Sequence, residues 1–512
     1  MDLKLKDISI CDYTKKIVTQ CTVDADIIVP DTKPDIYRIL CVNAVADLDE
    51  RYIRKDKIIF SGNVDFTIMY IGDTDKSKIY TIDYRAPFNH QAEVGGASED
   101  ALTISNCMVS GTDFKVKNSR KLSAISRLNI DAKAMKYKDI TALESVFGDD
   151  AVPFKTSQIK SDSLIACKEV DFTLSDSISL PASGDEVEIL DFNVHVDASE
   201  IKTVNNKAII KGILPAKIFY NCDNQYSVYE TEFSFTEIAD LDMANSESIL
   251  SSDFDIANIS YNIKEADGEI LLETDINVKG SISAYDRVDL EAVSDIYSPD
   301  YSYSVKQTSI NAASFNILND TRLTVKDSIS ADNVNSPISK VHYMNIYPSC
   351  LKTYCDNSNF HLKGNVQTVI IYSNENGELD SIKKDIPFET DFPCEYNASG
   401  SVFDVSLSSI NYGYVLGSSH DVQARTILRV VVGALSQEKL SVINDFNEDK
   451  SSPIDKSSQA SVTVCYCDGK SSLWDYAVKY NTTCEEIAAV NKIDVNSELV
   501  SASPILIPKR RV

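Results

Sequence analysis

Three stretches of the chain repeat one alternation of apolar and polar residues. In each stretch a Gly is followed eight residues later by a Tyr, giving the pairs Gly62 and Tyr70, Gly212 and Tyr220, Gly364 and Tyr372. Between them the apolar side chains keep one parity: Val64, Phe66 and Ile68; Leu214, Ala216 and Ile218; Val366, Thr368 and Ile370. A period of two predicts a β-strand with one buried face.

The three stretches are evenly spaced along the chain. Gly62 and Gly212 are 150 residues apart, and Gly212 and Gly364 are 152 residues apart. Each strand is followed by a polar turn, a second strand and a short aromatic signal that ends at Phe88, Phe235 or Phe388. This pattern predicts a β-hairpin in each of three related domains, because the period is too long for a stacking solenoid unit.

A further strand pair follows each hairpin. The predicted pairs are 106–116 with 122–134, 257–264 with 269–282, and 405–415 with 423–434. Few segments have a helical period; we expect a helical turn beginning at Asp35 and a short helix over Tyr137–Phe147. The fold class is therefore mainly β, with sandwich-like repeats and short peripheral helices.

The texture of the chain changes near its C-terminus. Residues 447–459 are polar and too poor in apolar side chains to fold, which predicts a linker. The expected domains are 1–150, 151–296 and 297–445 for the repeats, 446–460 for the linker and 461–512 for a small α+β domain.

The last domain has its own pattern. Val462 and Val464 begin a strand, helices are predicted over 473–480 and 485–490, and 505–508 form a closing strand. Thr482 with Glu485 and Thr483 with Glu486 offer two overlapping capping boxes for the second helix. Asn481 can end the first helix. The order is strand, helix, helix, strand.

Charge and cysteine usage restrict the partners and the compartment. The 50 basic and 77 acidic residues give a formal charge of −27, which weighs against nucleic acid or anionic lipid as the main partner. No run of about 18 apolar residues occurs, and we expect a soluble protein that is not secreted. The 12 scattered cysteines suit reduced thiols.

No residue pattern argues for catalysis or for a cofactor. Cys350 with Cys355, or Cys465 with Cys467, could be half of a metal site, but no matching Cys or His pair stands at ligand spacing. Ordinary part-buried cysteines are the favoured interpretation. The stretch Gly469-Lys470-Ser471 lacks the upstream Gly of a phosphate-binding loop. We therefore expect a non-enzymatic protein without metal or cofactor.

Trp474 is the only Trp in the chain. It lies about 100° from the predicted core stripe of its helix, together with Val478. Two interpretations of Trp474 are open: a half-buried structural residue, or an anchor for a binding partner, since aromatic side chains dominate interface hot spots.

The C-terminal domain resembles the LysM family. The matching residues include Leu473-Trp474-Asp475-Tyr476-Ala477, Asn491 and Ile505-Leu506-Ile507-Pro508. The resemblance implies binding of N-acetylglucosamine-containing glycans by two loops. In this chain the family's Gly-Asp-Thr is Lys470-Ser471-Ser472, and its Pro-Gly-Gln is Ser501-Ala502-Ser503. Because both glycan-contacting loops are altered, we expect this domain to bind protein instead.

The repeats resemble the SPOCS domains of sporulation proteins. Residues 29–36 and the strand from Gly62 to Tyr70 carry most of that similarity. SPOCS repeats followed by one LysM domain are the layout of SipL-like spore coat morphogenetic proteins. The resemblance implies a scaffold in the mother-cell cytoplasm, at the forespore surface, that binds the coat ATPase SpoIVA through the LysM-like domain. It also implies self-association, or binding of other coat proteins, through the repeats.

The expected partner-binding residues lie in the C-terminal domain: Trp474, Val462, Val478, Lys470, Ser471, Ser472, Ala502 and Ser503. A peptidoglycan-binding LysM protein and a lattice protein of the exosporium are the alternatives.

Overall fold

A computed structural model gives the architecture of the chain. It describes residues 1–510 except 96–97, 100, 149–151, 183–185, 267–268, 332–336, 357–358, 395–400, 418–420, 496 and 498. The predicted boundary between residues 150 and 151 lies outside the described residues.

Each repeat is built from two antiparallel sheets. The strands of the first repeat are β1 (Asp2–Ile28), β2 (Ile36–Arg54), β3 (Lys57–Gly72), β4 (Ile79–Glu93), β5 (Leu102–Asn118) and β6 (Lys121–Phe147). The second has β7 (Phe154–Leu180), β8 (Val187–Val194), β9 (Asp197–Val204), β10 (Lys207–Cys222), β11 (Gln225–Asp240), β12 (Ile249–Ala266) and β13 (Glu269–Ile296). The third has β14 (Tyr301–Ile329), β15 (Ile338–Asp356), β16 (Asn359–Asn374), β17 (Leu379–Pro393), β18 (Val402–Leu416) and β19 (Val422–Pro453).

The sheet order repeats with one variation. The hairpin sheets are β2-β3-β4, β8-β10-β11 and β15-β16-β17, and in the second repeat a broken first strand makes β9 a further partner of β10. The other sheets are β1-β6-β5, β7-β13-β12 and β14-β19-β18. Their inner faces share one core per repeat; in the first, Phe66 of β3 and Leu128 of β6 belong to the same buried cluster. The mainly β class is confirmed.

The repeated Gly and the aromatic signal meet in the sheet. Gly62 pairs with Phe88, Gly212 with Phe235 and Gly364 with Phe388. A Cβ on Gly212 would lie 2.4 Å from the Asp197 carbonyl oxygen and 2.8 Å from the Phe235 ring. The Phe ring covers the glycine across the strand pair, which is the device that stabilises a glycine in a sheet.

Both helices expected within the repeats are wrong. Strand β2 contains Ile36, Ile39 and Leu40. The last part of β6 is Tyr137–Phe147, and β1 pairs with β6 as far as Phe147. The side chains of Leu143 and Val146 are buried against the other repeats. Burial by distant segments therefore overrides the weak local helical period.

The predicted linker is also shorter than expected. Strand β19 runs on to Pro453 and pairs with β14 as far as Tyr301. Polar residues remain extended here because pairing with β14 gives their backbone N–H and C=O groups hydrogen-bond partners. Lys456 is 8% exposed and bonds to Asp300 at 2.8 Å, so this part of the predicted linker is held in place.

The three repeats surround a pseudo-threefold axis. Three buried clusters each take an equivalent residue from every repeat: Met69, Phe219 and Ile371; Met135, Tyr285 and Leu435; Val146, Ile296 and Phe446. The first cluster lies on the hairpin strands β3, β10 and β16, and the other two lie at successive levels of the long strands β6, β13 and β19. Each repeat therefore packs against the other two through shared buried apolar surface.

The C-terminal domain follows the predicted order. Its elements are β20 (Val462–Tyr466), α1 (Leu473–Tyr480), α2 (Cys484–Asn491) and β21 (Pro504–Pro508). Asn481 ends α1 in the left-handed conformation, as expected, and Thr483 with Glu486 forms the capping box of α2. The alternative box of Thr482 and Glu485 is wrong, because the Thr482 hydroxyl donates to Glu486.

Candidate functional site

Trp474 faces the second repeat. Its indole Nε1 donates to Asp295 Oδ2 at 2.7 Å, and its ring meets the Tyr297 ring edge-on with centroids 4.9 Å apart. The side chain is half-buried and packs against the core of the C-terminal domain, as does Val478. The only Trp of the chain is therefore engaged within the molecule.

Tyr297 joins the repeats to the C-terminal domain. It is 1% exposed and belongs to the same core as Leu473 and Ile487. Its hydroxyl donates to the Thr482 carbonyl at 2.8 Å, and burial raises its pKa well above the ordinary tyrosine value. A residue of the segment between repeats two and three thus completes the core of the small domain.

Asp300 holds the C-terminal domain on the repeats through ion pairs. Its carboxylate binds Lys456 Nζ at 2.8 Å and Arg510 Nε at 3.0 Å. Arg510 also lies 3.7 Å from Glu486 on α2. Asp300, Lys456 and Arg510 are all at least two-thirds buried, so these pairs are less screened than surface pairs. We call residues 295–300 the seat of the C-terminal domain.

The two altered loops lie side by side. Cys467 exchanges backbone hydrogen bonds with Ala502 and Ser503 at 2.8 and 2.9 Å, and Gly469 faces Ser501. In the first loop the Asp468 carboxylate accepts from the backbone N–H groups of Lys470 and Ser471, which lower its pKa to about 2. The loop that carries Lys470, Ser471 and Ser472 is therefore adjacent to the loop that carries Ala502 and Ser503.

Val462 lies on a different surface from Trp474. In β20, Val462, Val464 and Tyr466 are 46%, 57% and 72% exposed, whereas Cys465, and Cys467 just after the strand, pack in the core with the helices. Leu506 pairs with Val464 and joins the same outward side. We call Val462, Val464, Tyr466 and Leu506 the outer face. Trp474 and Val478, on the helix side, do not belong to it.

A second set of polar residues gathers on the pseudo-threefold axis. Asp191 accepts from Asn43 at 2.6 Å and from the Tyr343 hydroxyl, and Asp253 accepts from Asn106 and Ser406. Burial raises the pKa of both carboxyls to about 6. They line a cleft of about 710 Å³ to which every repeat contributes.

Sequence reasoning missed the seat and the axial carboxylates. No local periodicity marks them, since each acts on residues more than 100 positions away. Among the described residues, no group of three His, Cys, Asp or Glu side chains is placed to hold a metal ion.

The fold and the site define a chain of three related β-sandwich repeats that carries a small α+β domain on a buried seat. Residues 35–117 and 187–264 match the family model described as SipL, SPOCS domain. The expected similarity to SipL-like proteins with SPOCS repeats is thereby confirmed in repeats one and two.

The matched regions begin just before β2 and at β8 and include the hairpin sheet and the next strand of each repeat. The third repeat has the same strand order without a match, and the match does not extend to the C-terminal domain. No curated protein and no solved structure matches the chain.

The family match indicates a sporulation-related protein. In the described part of the chain, neither helix has the length and hydrophobicity needed to cross a membrane.

Proposed function

We propose that the chain is a non-enzymatic scaffold of the spore coat that binds SpoIVA through its LysM-like C-terminal domain. The family match to SipL SPOCS domains supports the sporulation setting. The mother-cell side of the forespore surface is the proposed location. The repeats, closed around their axis, serve as a rigid platform, and self-association or binding of other coat proteins uses their outward surfaces.

The observation that carries this proposal is the outer face of the C-terminal domain. Val462, Val464 and Tyr466 expose about half or more of their surface beside Leu506 on the two-stranded sheet. A compact exposed apolar patch on a small domain marks an interaction surface. Lys470, Ser471, Ser472, Ala502 and Ser503 are proposed as neighbouring polar contacts.

The contacts at the seat support different roles for the expected anchor residues. Trp474 has its indole N–H bound to Asp295 and its ring against Tyr297. We propose that Trp474 and Val478 set the orientation of the domain, while Val462 contacts the partner. Loss of affinity on changing Trp474 would then arise from a displaced domain.

Binding of the 512-residue chain to immobilised SpoIVA tests the proposal. Val464→Asp and Tyr466→Asp place a charge in the patch, and each is expected to weaken binding about 30-fold or more. Val204→Asp is the matched control, because Val204 is also an exposed strand valine, 49% exposed, but lies in repeat two. Unchanged thermal melts show that all three variants fold.

Two outcomes contradict the proposal. Binding of both patch variants within twofold of the original chain moves the partner surface elsewhere. Micromolar binding of chito-oligosaccharides, roughly −8 kcal/mol, would favour the glycan-binding alternative instead.

A further inference from the structure

Two cysteine side chains of the third repeat touch. Cys355 Sγ and Cys394 Sγ are 3.9 Å apart. Cys355 is the penultimate residue of β15, and Cys394 directly follows β17. These two strands flank β16, so the two sulfur atoms meet across its first residues.

The other repeats show that packing does not require cysteine here. The register that pairs Cys355 with Phe360 pairs Ile53 with Ile58 in repeat one and Thr203 with Ala208 in repeat two. The residue after the last pair of each hairpin sheet is Cys394, Val94 or Leu241, and all three are buried. One fold therefore accepts Ile with Val, Thr with Leu, and Cys with Cys.

We propose that Cys355 and Cys394 form a dithiol modification site, which a peroxide converts into a disulfide that locks β15 to β17. The Cys355 thiolate attacks one peroxide oxygen and breaks the O–O bond, giving a sulfenic acid and, for hydrogen peroxide, one water after protonation. Cys394 sulfur then attacks the sulfenic sulfur and releases a second water. The two thiols lose two electrons, and the peroxide gains them.

The two sulfur atoms need only a short approach to form this bond. A disulfide is about 2.05 Å long, so the sulfur atoms must approach by about 2 Å. Cys355 is partly exposed and admits the oxidant, whereas Cys394 is 2% exposed and acts as the resolving thiol. The bond would join positions 39 residues apart and fasten both strands that flank β16.

Burial and the neighbouring Cys394 raise the pKa of Cys355 to about 12. Since the thiolate is the nucleophile, oxidation is slow at neutral pH and accelerates about tenfold for each pH unit. The disulfide therefore forms slowly and requires sustained exposure to the oxidant.

Peptide mapping of the 512-residue chain tests the site. Hydrogen peroxide is applied at pH 7 and pH 8, remaining thiols are alkylated, and peptides are separated without reduction. We expect a cross-linked pair containing Cys355 and Cys394 that has lost two hydrogens, forms about tenfold faster at pH 8, and disappears with dithiothreitol. The oxidised chain should melt a few degrees higher.

Two variants act as matched controls. Cys350→Ser changes another thiol of β15 and should leave the cross-link intact. Cys355→Thr with Cys394→Leu copies the pair of repeat two, so it should fold and lack both the cross-link and the shift in melting temperature. The proposal is overturned if Cys355 and Cys394 are recovered singly alkylated or singly oxidised, or paired with other cysteines. Mapping of the unmodified chain decides this even if the double variant does not fold.

Discussion

The indole N–H of Trp474 is bound to a carboxylate 179 positions earlier in the chain, Asp295 at the end of β13. This bond fixes the rotation of α1 relative to the repeats. The outer face is consequently held in one direction, and its residues Val464 and Tyr466 point away from the helices. The C-terminal domain is thus held in a fixed orientation on the repeats.

Loosening this bond should be visible in the protein's own fluorescence. Trp474 is the only Trp, so its emission reports the seat alone. Asp295→Ala removes the acceptor and should shift the emission maximum to longer wavelength, because the ring gains contact with water. The cost in stability should be about 1 kcal/mol, the usual value for a part-exposed hydrogen bond.

Asp49→Ala serves as the control, because it removes an aspartate that lies far from Trp474 in the first repeat. Its emission should match that of the original chain. Identical spectra for Asp295→Ala and the original chain would show that the bond does not hold the ring.

The charge anchor of the seat should control proteolysis. Asp300→Asn leaves Lys456 and Arg510 without their shared carboxylate, although both are mostly buried. Breaking a buried pair costs about 3 kcal/mol, and the C-terminal domain should detach locally before the repeats unfold. Limited proteolysis should then cut between residues 454 and 460 several-fold faster.

Asp445→Asn is a suitable comparison, since its partner Lys306 is 80% exposed and little stability is lost. Equal cutting rates for both variants would contradict the anchoring role of Asp300.

Local pattern was sufficient for much of the fold. The parity around Phe66 and the glycine spacing predicted the hairpins, and Thr483 with Glu486 predicted the start of α2. These signals act between neighbours on one element or across one turn. The capping choice at Thr482 failed because both threonines satisfy the same short motif, and only the final geometry decides between them.

Distant contacts were outside the reach of such patterns. Leu143 and Val146 have helical spacing, yet the other repeats bury them in an extended strand. The polar end of β19 resembles a linker, yet β14 satisfies its backbone. Trp474 was identifiable as unusual, but Asp295 could not be assigned to it. A pairing between sequence-distant side chains requires the domain arrangement, which the local period does not contain.

The repeated glycines should be intolerant of a single methyl group. At Gly212 and Gly364 an added Cβ would lie 2.4 Å from a backbone oxygen and under 3 Å from the covering Phe ring. Because a backbone atom cannot yield cheaply, Gly212→Ala or Gly364→Ala should lower the free energy of unfolding by about 1–3 kcal/mol. Denaturant titration measures the change.

Gly413→Ala provides the matched control on a strand of the third repeat, since no atom lies within 4 Å of its added Cβ. Its stability should stay within about 0.5 kcal/mol of the original chain. A similar loss at all three positions would mean that loss of glycine, and not the close approach, causes the effect.

The axial carboxylates should make the repeats more stable at mildly acidic pH. Burial raises the pKa of Asp253 from 3.8 to about 6, against the hydrogen bonds from Asn106 and Ser406. Between pH 4 and pH 6 the folded state therefore holds a proton that the unfolded state has lost. The free energy of unfolding must fall as pH rises through this window. Asp253→Asn, which is always neutral, should gain about 1–2 kcal/mol at pH 7.5 and flatten the pH profile.

Asp404, in the same region, changes stability with pH in the opposite direction. Burial acts to raise its pKa, but Lys133 and Lys16 outweigh burial and lower it. Its stabilisation is present above pH 4 and lost as pH falls below that value. Asp404→Asn should therefore destabilise the chain at pH 7.5, by about 3 kcal/mol, because the part-buried Lys133 loses its paired carboxylate and Lys16 keeps Asp131, at 3.5 Å, as its ion-pair partner. Urea titrations at pH 5.0 and pH 7.5 measure both variants. If Asp253→Asn destabilises the chain equally at both pH values, the Asp253 carboxyl is ionised throughout, and the axial site does not titrate.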